Sequence, residues 1–446
     1  MIRVISLNIG IVSLGCAKNL VDTEVMLGLL NGDGHSIVSD PAEADVIIVN
    51  TCAFIDSAKE ESIQTILEMA AYKEDRCRLL IVCGCLAERY QEEILRELPE
   101  VDAVVGTGDY GKIAEVVTKA FSGERVLLYG HMNDPLAEED RMLATPGYMA
   151  YCKIADGCDN HCTYCIIPKL RGSYRSRQME DIVSEAEKLA EAGVRELVVI
   201  AQDTSRYGTD IYGESKLPEL LKRLCAISKL HWVRVLYLYP EMITNELIEV
   251  FRTEDKLVKY MDIPIQHADS QVLHRMGRHL THEQLVALVH KLRDRVPGIV
   301  LRTTVIAGFP GETEEQFETL LSFVEAMRFD RLGAFAYSQE DGTPAAKLPD
   351  QLPEEIKNER AAKVLSVQEK ISLALQEEKL GSHIEVLVEG YEEESLMYFG
   401  RSAGDAPEVD NTVYFVSEEE HMPGEFVTVK ILNADTYELV GSAVLK

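Results

Sequence analysis

Over about the first 145 residues, short apolar runs alternate with stretches of helical period, the pattern of a parallel α/β sheet. Three runs end alike. Ile11-Val12-Ser13-Leu14-Gly15 leads into Cys16, Val46-Ile47-Ile48-Val49-Asn50-Thr51 into Cys52, and Leu79-Leu80-Ile81-Val82 into Cys83-Gly84-Cys85. In a parallel sheet the C-terminal strand ends share one edge, where ligands bind. Cysteines from distant sequence are therefore expected to converge there. Taken singly, each reads as a small buried hydrophobe; the repeated placement favours convergence.

A polar linker without periodicity follows, from Asn133-Asp134-Pro135 to Thr145-Pro146-Gly147. Beyond it, apolar strands are predicted at Tyr148–Ile154, Glu196–Ala201, Trp232–Leu238, Val258–Ile263, Ile299–Ala307 and Leu332–Ala336, each followed by a helical pattern. Six such units, short of eight, suggest an open partial (β/α)6 barrel with its working loops at the strands' C-terminal ends. Residues Pro353 to Leu380 read as one long helix stopped by Gly381. From His383 onward, short alternating strands such as Ile384–Val388 and Phe426–Lys430 suggest a small closed antiparallel β-barrel. The chain thus reads as α/β overall, with an N-terminal parallel α/β domain (1–132), a linker (133–147), the partial barrel with its C-terminal helix (148–380) and the small β-barrel (381–446).

The most informative chemistry follows the first strand of the partial barrel. Gly157-Cys158-Asp159-Asn160-His161-Cys162-Thr163-Tyr164-Cys165 has the spacing C-x3-C-x2-C. Three thiolates can hold three irons of a [4Fe-4S] cube and leave the fourth open. A zinc site would normally recruit a fourth Cys or His at finger-like spacing, and none follows nearby. Cys16, Cys52 and either Cys83 or Cys85 form a second candidate set of three metal ligands.

Length and composition narrow the class. At 446 residues the chain has room for roughly two to four domains. No run of about 18 or more apolar residues is present, so no membrane span or membrane partner is expected. The start, Met1-Ile2-Arg3-Val4-Ile5-Ser6, lacks the charged-then-apolar pattern of a signal peptide. Ten cysteines, many beside glycine, read as metal ligands in a reducing cytoplasm rather than as a disulfide framework. The net charge of −30 argues against nonspecific nucleic-acid binding and permits a basic protein partner. The same acidity also serves solubility.

The C-x3-C-x2-C spacing resembles the radical S-adenosylmethionine superfamily, in which the open iron binds the cofactor's amino and carboxylate groups and reduction yields a 5′-deoxyadenosyl radical. Ser13-Leu14-Gly15-Cys16-Ala17-Lys18-Asn19, Asn50-Thr51-Cys52-Ala53-Phe54-Ile55 and Gly84-Cys85-Leu86-Ala87 resemble the three cysteine signatures of the methylthiotransferases within it. The resemblance covers essentially the whole chain and implies a second [4Fe-4S] cluster in the N-terminal domain, a C-terminal barrel similar to the TRAM module, and transfer of –SCH3 to an unactivated carbon.

Within that family, Ile200-Ala201-Gln202-Asp203-Thr204-Ser205, Asp262-Ile263-Pro264-Ile265-Gln266-His267 and Asn50-Thr51-Cys52-Ala53-Phe54 are similar to the branch that modifies an aspartate β-carbon of small-subunit ribosomal protein S-twelve. Relatives acting on isopentenyl-adenosine of transfer RNA typically carry Gln-Ser-Gly where this chain has Gln266-His267-Ala268, and their barrel is basic. Between Gly381 and the end, 14 Asp or Glu face three Lys or Arg, namely Arg401, Lys430 and Lys446. Glu392-Glu393-Glu394 and Glu418-Glu419-Glu420 would repel RNA and attract a basic ribosomal protein.

By the same resemblance, Cys158, Cys162 and Cys165 hold the radical cluster, and Cys16, Cys52 and Cys85 the second. Cys83 competes with Cys85, and the family pattern selects Cys85. Gln202, Asp203, Gln266, Arg302 and the Gly308-Phe309-Pro310 turn are expected at the S-adenosylmethionine site, with Phe309 and its neighbours lining the adenine. Lys169, Arg171, Arg175 and Arg177 read either as anion holders or as a solvated loop. Cys77, Cys152 and Cys225 read as ordinary buried thiols. No acid–base residue is assigned. A flavodoxin or ferredoxin is the implied electron donor. The segment Met1 to Leu7 reads as an extension of the usual start. An iron–sulfur electron carrier or a zinc-stabilised binding module is the alternative of a different class.

Overall fold

A computed structural model of the chain describes residues 6–134, 136 and 140–444. Residues 1–5, Pro135 and residues 137–139 of the linker, and Leu445 and Lys446 lie outside the described residues.

The N-terminal unit is a six-stranded parallel sheet built from β1 (Asn8–Ser13), β2 (Ser36–Ile37), β3 (Val46–Thr51), β4 (Leu79–Gly84), β5 (Ala103–Val105) and β6 (Val126–Leu128), in the order β2-β1-β3-β4-β5-β6. Every residue of β3 and β4 is buried, because helices cover both faces. Along β3 the side chains alternate between two cores. Val46 and Ile48 pack with Met26 and Leu30 of α1 (Ala17–Gly32), whereas Ile47 and Val49 pack with Ile66 of α2 (Asp56–Ala70) and Leu86 of α3 (Cys85–Tyr90).

The central unit holds β7 (Met149–Lys153), β8 (Ala155–Asp156), β9 (Arg175–Ser176), β10 (Glu196–Ile200), β11 (Trp232–Val235), β12 (Tyr260–Asp262), β13 (Val300–Ala307) and β14 (Arg331–Ala336). Parallel ladders run β7-β10-β11 and β12-β13-β14, and a parallel bridge between Val233 and Leu257 links the halves. Among the described residues no ladder joins β14 to β7, so the barrel stays open. The ladder of β11 stops at Val235, short of the predicted Leu238, because the chain turns left-handed at Tyr237, φ +63°. That turn delivers Tyr237 and Tyr239 to the strand-end edge. The helix Glu354–Glu377 packs along β14 and ends before Gly381, whose φ of +77° suits only glycine without strain.

The C-terminal unit is a closed five-stranded barrel of β15 (His383–Glu392), β16 (Met397–Ser402), β17 (Thr412–Val416), β18 (Phe426–Ala434) and β19 (Glu438–Ala443), in the order β15-β16-β17-β19-β18. It is not wholly antiparallel: β17 and β19 pair in parallel, since β18 returns to β15 and leaves the edge of β17 for β19. Both glutamate triads are exposed.

One apolar cluster contains residues of all three units: Val21 of α1, Tyr151, Val198 and Trp232 of the central strands, and Leu387 and Ala406 of the barrel. Beside it, Glu196 receives Arg234 Nε at 2.7 Å and Arg401 Nη2 at 2.7 Å, all three side chains being buried. Burial alone would raise the Glu196 pKa, and Arg401 and Arg234 hold it below the usual carboxylate range. Replacing Glu196 by Ala leaves the buried Arg234 guanidinium without its carboxylate and Arg401 with Glu389 alone, a loss of about 3–5 kcal/mol. A lowered melting temperature and faster proteolysis between the long helix and the barrel are expected, and an unchanged melt would contradict this seam.

Candidate functional site

Strands β1, β3 and β4 are neighbours in the sheet, so their C-terminal ends lie side by side. Cys16 follows β1 and occupies the N-cap of α1, where its thiol makes no capping bond. Cys52 follows β3, and Cys85 opens α3 directly after β4. Two glycines permit the approach. A Cβ on Gly15, at φ +87°, would lie 2.7 Å from Cys52 Cβ, and one on Gly84, at φ +91°, would lie 2.3 Å from Asn50 Oδ1. Side-chain amides then stitch the edge: Asn19 Nδ2 donates to the carbonyls of Leu14 and Thr51, both at 3.0 Å, and Asn50 Nδ2 to that of Asn19 at 2.8 Å. Ser62 Oγ accepts from Cys52 N and donates to Cys52 O, which pins the middle cysteine to α2.

The second triad hangs from β8. Gly157 adopts φ +77° against the carbonyl of Ser173, and Cys158 N donates to Gly172 O at 3.1 Å, closing the loop at its base. Its far side is held by Thr163 N on Met276 O and Ala345 N on Thr163 O, both at 2.9 Å. Inside the loop, Asn160 Nδ2 donates to Asp203 Oδ2 and its Oδ1 accepts from Arg206. His161 is exposed, with φ +50°.

All six cysteines line one cavity of about 460 Å³. Cys83 does not; its sulfur packs 3.9 Å from that of Met26 in the core on the opposite face of the sheet. Burial pushes most of the cavity thiols upward, Cys85 to about 12 and Cys158 to about 11. Cys16 differs. Desolvation by the surrounding protein would raise it, but the Lys18 and Arg171 cations, with backbone N–H groups, bring it below the ordinary thiol value, and the residue itself is exposed. No group of three or more His, Cys, Asp or Glu among the described residues is arranged to hold a single metal ion. The donor set, three sulfurs on each of two walls and no carboxylate in the lining, suits iron–sulfur clusters. A buried Gln202 Oε1 without a partner among the described residues offers an acceptor to a polar ligand.

Arg171 joins the two walls. Its guanidinium donates to Asn19 Oδ1, to Asp22 at 2.9 Å and to Asp156 at 2.9 Å, and Lys153 contacts the same two carboxylates. Burial would raise Asp156, but Arg171 and Lys153 hold it far below the usual carboxylate range. Gln202 donates to Asp156 Oδ1 at 2.7 Å, which orients the amide toward the cavity.

Of the residues expected at a cofactor, Gln202 and Gln266 line the cavity with the six cysteines. Asp203 does not: it is buried and anchors Asn160 instead. Arg302 lies elsewhere, paired with Asp262 at 3.0 Å and with Asp410 of the barrel at 3.5 Å. Gly308, Phe309 and Pro310 are buried outside the lining. Gly308 N donates to Glu312, and Phe309 packs edge-on against Tyr337. Arg171 is buried rather than solvated, while Lys169 donates to Gly342 O, Arg175 to Arg171 O and Arg177 to Lys153 O. Sequence reasoning gave no role to Lys18, Tyr237, Tyr239 and Arg278, which also line the cavity. Lys18 sits within the first cysteine signature and the tyrosines follow a strand end, so those signals were present. Arg278 had none.

Comparison with known proteins adds three profiles. Residues 8–106 match the uncharacterized protein family UPF0004, residues 152–324 the Radical SAM superfamily, and residues 380–444 the TRAM domain. The chain is 51% identical to the ribosomal protein uS12 methylthiotransferase RimO of Lachnoclostridium phytofermentans, over 97% of this chain and 99% of that one. It is 50% identical to the protein of the same name from Clostridioides difficile, over 98% and 99%. Among solved structures, the radical S-adenosylmethionine methyltransferase TsrM from Kitasatospora setae, with cobalamin and a [4Fe-4S] cluster bound, is similar in fold. Its TM-score is 0.58 at 15% identity, covering 76% of this chain and 77% of that one.

Replacing Cys85 by Ala is expected to remove about four irons per chain after anaerobic reconstitution. Gly15→Ala should do the same by driving Cys16 and Cys52 apart. Cys83→Ala should retain them. Equal iron in the Cys85 and Cys83 variants would contradict the placement.

Proposed function

Because the chain belongs to the RimO family of ribosomal protein uS12 methylthiotransferases, we propose that it adds a methylthio group to the β-carbon of an aspartate in ribosomal protein uS12. It is a radical S-adenosylmethionine enzyme whose cofactors are S-adenosylmethionine and two [4Fe-4S] clusters. The observation that carries the reading is the single cavity onto which two sets of three cysteines open.

Cys158, Cys162 and Cys165 are assigned to the cluster that pairs with S-adenosylmethionine, and Cys16, Cys52 and Cys85 to the second. Bound there, the cofactors supply the electron, the hydrogen abstraction and the methyl group. The chain's own residues decide where these meet. Gln202 and Gln266 offer polar contacts from beyond the ends of β10 and β12, and Phe54, Ile55, Leu238 and Pro264 give the cavity apolar walls that displace water. Arg171 and Asp156 keep the two cysteine walls facing each other.

The exposed Glu392–Glu394 and Glu418–Glu420 triads support docking of a basic protein on the barrel rather than a nucleic acid. A flavodoxin or ferredoxin is the proposed electron donor, and the cytoplasm the proposed compartment. Among the described residues no helix is long and apolar enough to cross a membrane.

The test is an anaerobic assay of reconstituted enzyme with S-adenosylmethionine, reductant and sulfide, offering recombinant uS12 and unmodified transfer RNA in parallel. A gain of about 46 Da on one uS12 aspartate is expected, hydrogen being exchanged for SCH3. Modification of the RNA alone would overturn the substrate reading, as would cofactor cleavage with neither product changed.

A further inference from the structure

The cavity wall is electrostatically lopsided. In a chain of net charge −30, no Asp or Glu lines it, while Lys18, Arg171 and Arg278 do. Two of these cations are already occupied. Arg171 is saturated by Asp22, Asp156 and Asn19. Arg278 donates to Pro264 O at 2.9 Å, lies over the Tyr239 ring and faces Glu241 at 3.8 Å. Lys18 is different. Its ammonium sits 3.4 Å from the centroid of the Tyr237 ring, and among the described residues no carboxylate lies within ion-pair distance of it. The residue is only 8% exposed. A ring face compensates a buried ammonium only in part, and buried charges are otherwise paired. Cys16, two residues away, feels this charge, but no carboxylate of the chain answers it, which leaves the ammonium open to an anionic oxygen that arrives from outside.

Position narrows the anion. Lys18 belongs to the first turn of α1, two residues after Cys16, so its charge stands on the wall of Cys16, Cys52 and Cys85. Tyr237 reaches it from the opposite unit, at the end of β11. We propose that Lys18 anchors the carboxylate of the side chain to be modified, with the Tyr237 ring fixing the direction of the ammonium. In an aspartate the β-carbon is bonded directly to the carboxylate carbon, so pinning the carboxylate fixes the reacting carbon one bond away. The same cation rejects an amide in that place, because an uncharged group leaves it unpaired. This rests on the reading of the substrate as an acidic side chain and adds to it the residue that selects the acid.

The test uses the reconstituted full-length enzyme and two peptides of the uS12 target loop, one with the target aspartate and one with asparagine in its place. Binding is measured directly, independent of turnover. The wild type should prefer the aspartate peptide by about 30-fold or more. Lys18→Met should abolish that preference, Lys18→Arg should keep most of it, and affinity for S-adenosylmethionine should stay unchanged in both. Iron content and circular dichroism establish that each variant is folded and loaded, with Lys18→Gln as a second neutral replacement. A preference that survives in Lys18→Met sinks the anchor alone. So does a loss confined to S-adenosylmethionine binding, or a shifted cluster potential with peptide selectivity intact. If neither peptide binds the wild type and uS12 is left unmodified, the substrate reading fails and the anchor with it.

Discussion

Four buried charges hold the two halves of the site in register. Asp22 comes from α1, Lys153 and Asp156 from the strands β7 and β8, and Arg171 from the short helix Ile167–Arg171, and each cation touches both carboxylates. Burial pushes the Lys153 ammonium toward neutrality, but Asp156 and Asp22 reverse the effect and keep it charged. Buried pairs of this kind are weak evidence for net stability, because desolvation offsets much of the attraction. Their consequence here is geometric. Arg171 contacts Asn19 Oδ1, which lies 3.8 Å from Cys85 Sγ, while Asp156 Oδ1 accepts from Gly157 N beside Cys158. A displacement at either carboxylate is felt at both cysteine sets.

Other contacts support that arrangement from outside. Glu340, on the segment after β14, has a side chain only 2% exposed and receives Lys59 at 3.0 Å and Arg89 at 2.8 Å from the N-terminal unit. Arg89 also donates to Ala53 O, next to Cys52, so this latch acts on the same wall of the cavity. On the far side, the barrel is fastened by Glu196, Asp405 and Asp410 to arginines and to Tyr260. The acidic residues that face inward are thus structural, whereas the two glutamate triads are exposed.

Much of this was legible from the sequence because it follows from topology. Apolar runs ending in cysteine imply a shared edge once the sheet is parallel, and β1, β3 and β4 are indeed neighbours. Gln202 was legible as a strand-end residue; Asp203, one position on, points into the protein because successive extended residues face opposite sides. Arg302 stands outside the cavity lining for a physical reason. It is near the start of β13, roughly 17 Å of strand from Ala307 at the working edge. The Gly308–Pro310 turn lies at the right edge but closes on Glu312 instead of lining the cavity. Lys18 carried a signal through its place in the first cysteine signature, but Arg278 needed the tertiary structure, since nothing local distinguishes it from a solvated charge.

The measurement that bears most directly on this architecture is pulsed EPR of the anaerobically reconstituted, fully reduced protein. If the two cysteine sets hold the two clusters as proposed, on opposite walls of one cavity, the clusters interact magnetically. Broadened signals and accelerated relaxation are expected, with a return to a single isolated signal when Cys85 is replaced by Ala. A spectrum that is simply the sum of two independent clusters would contradict a shared cavity.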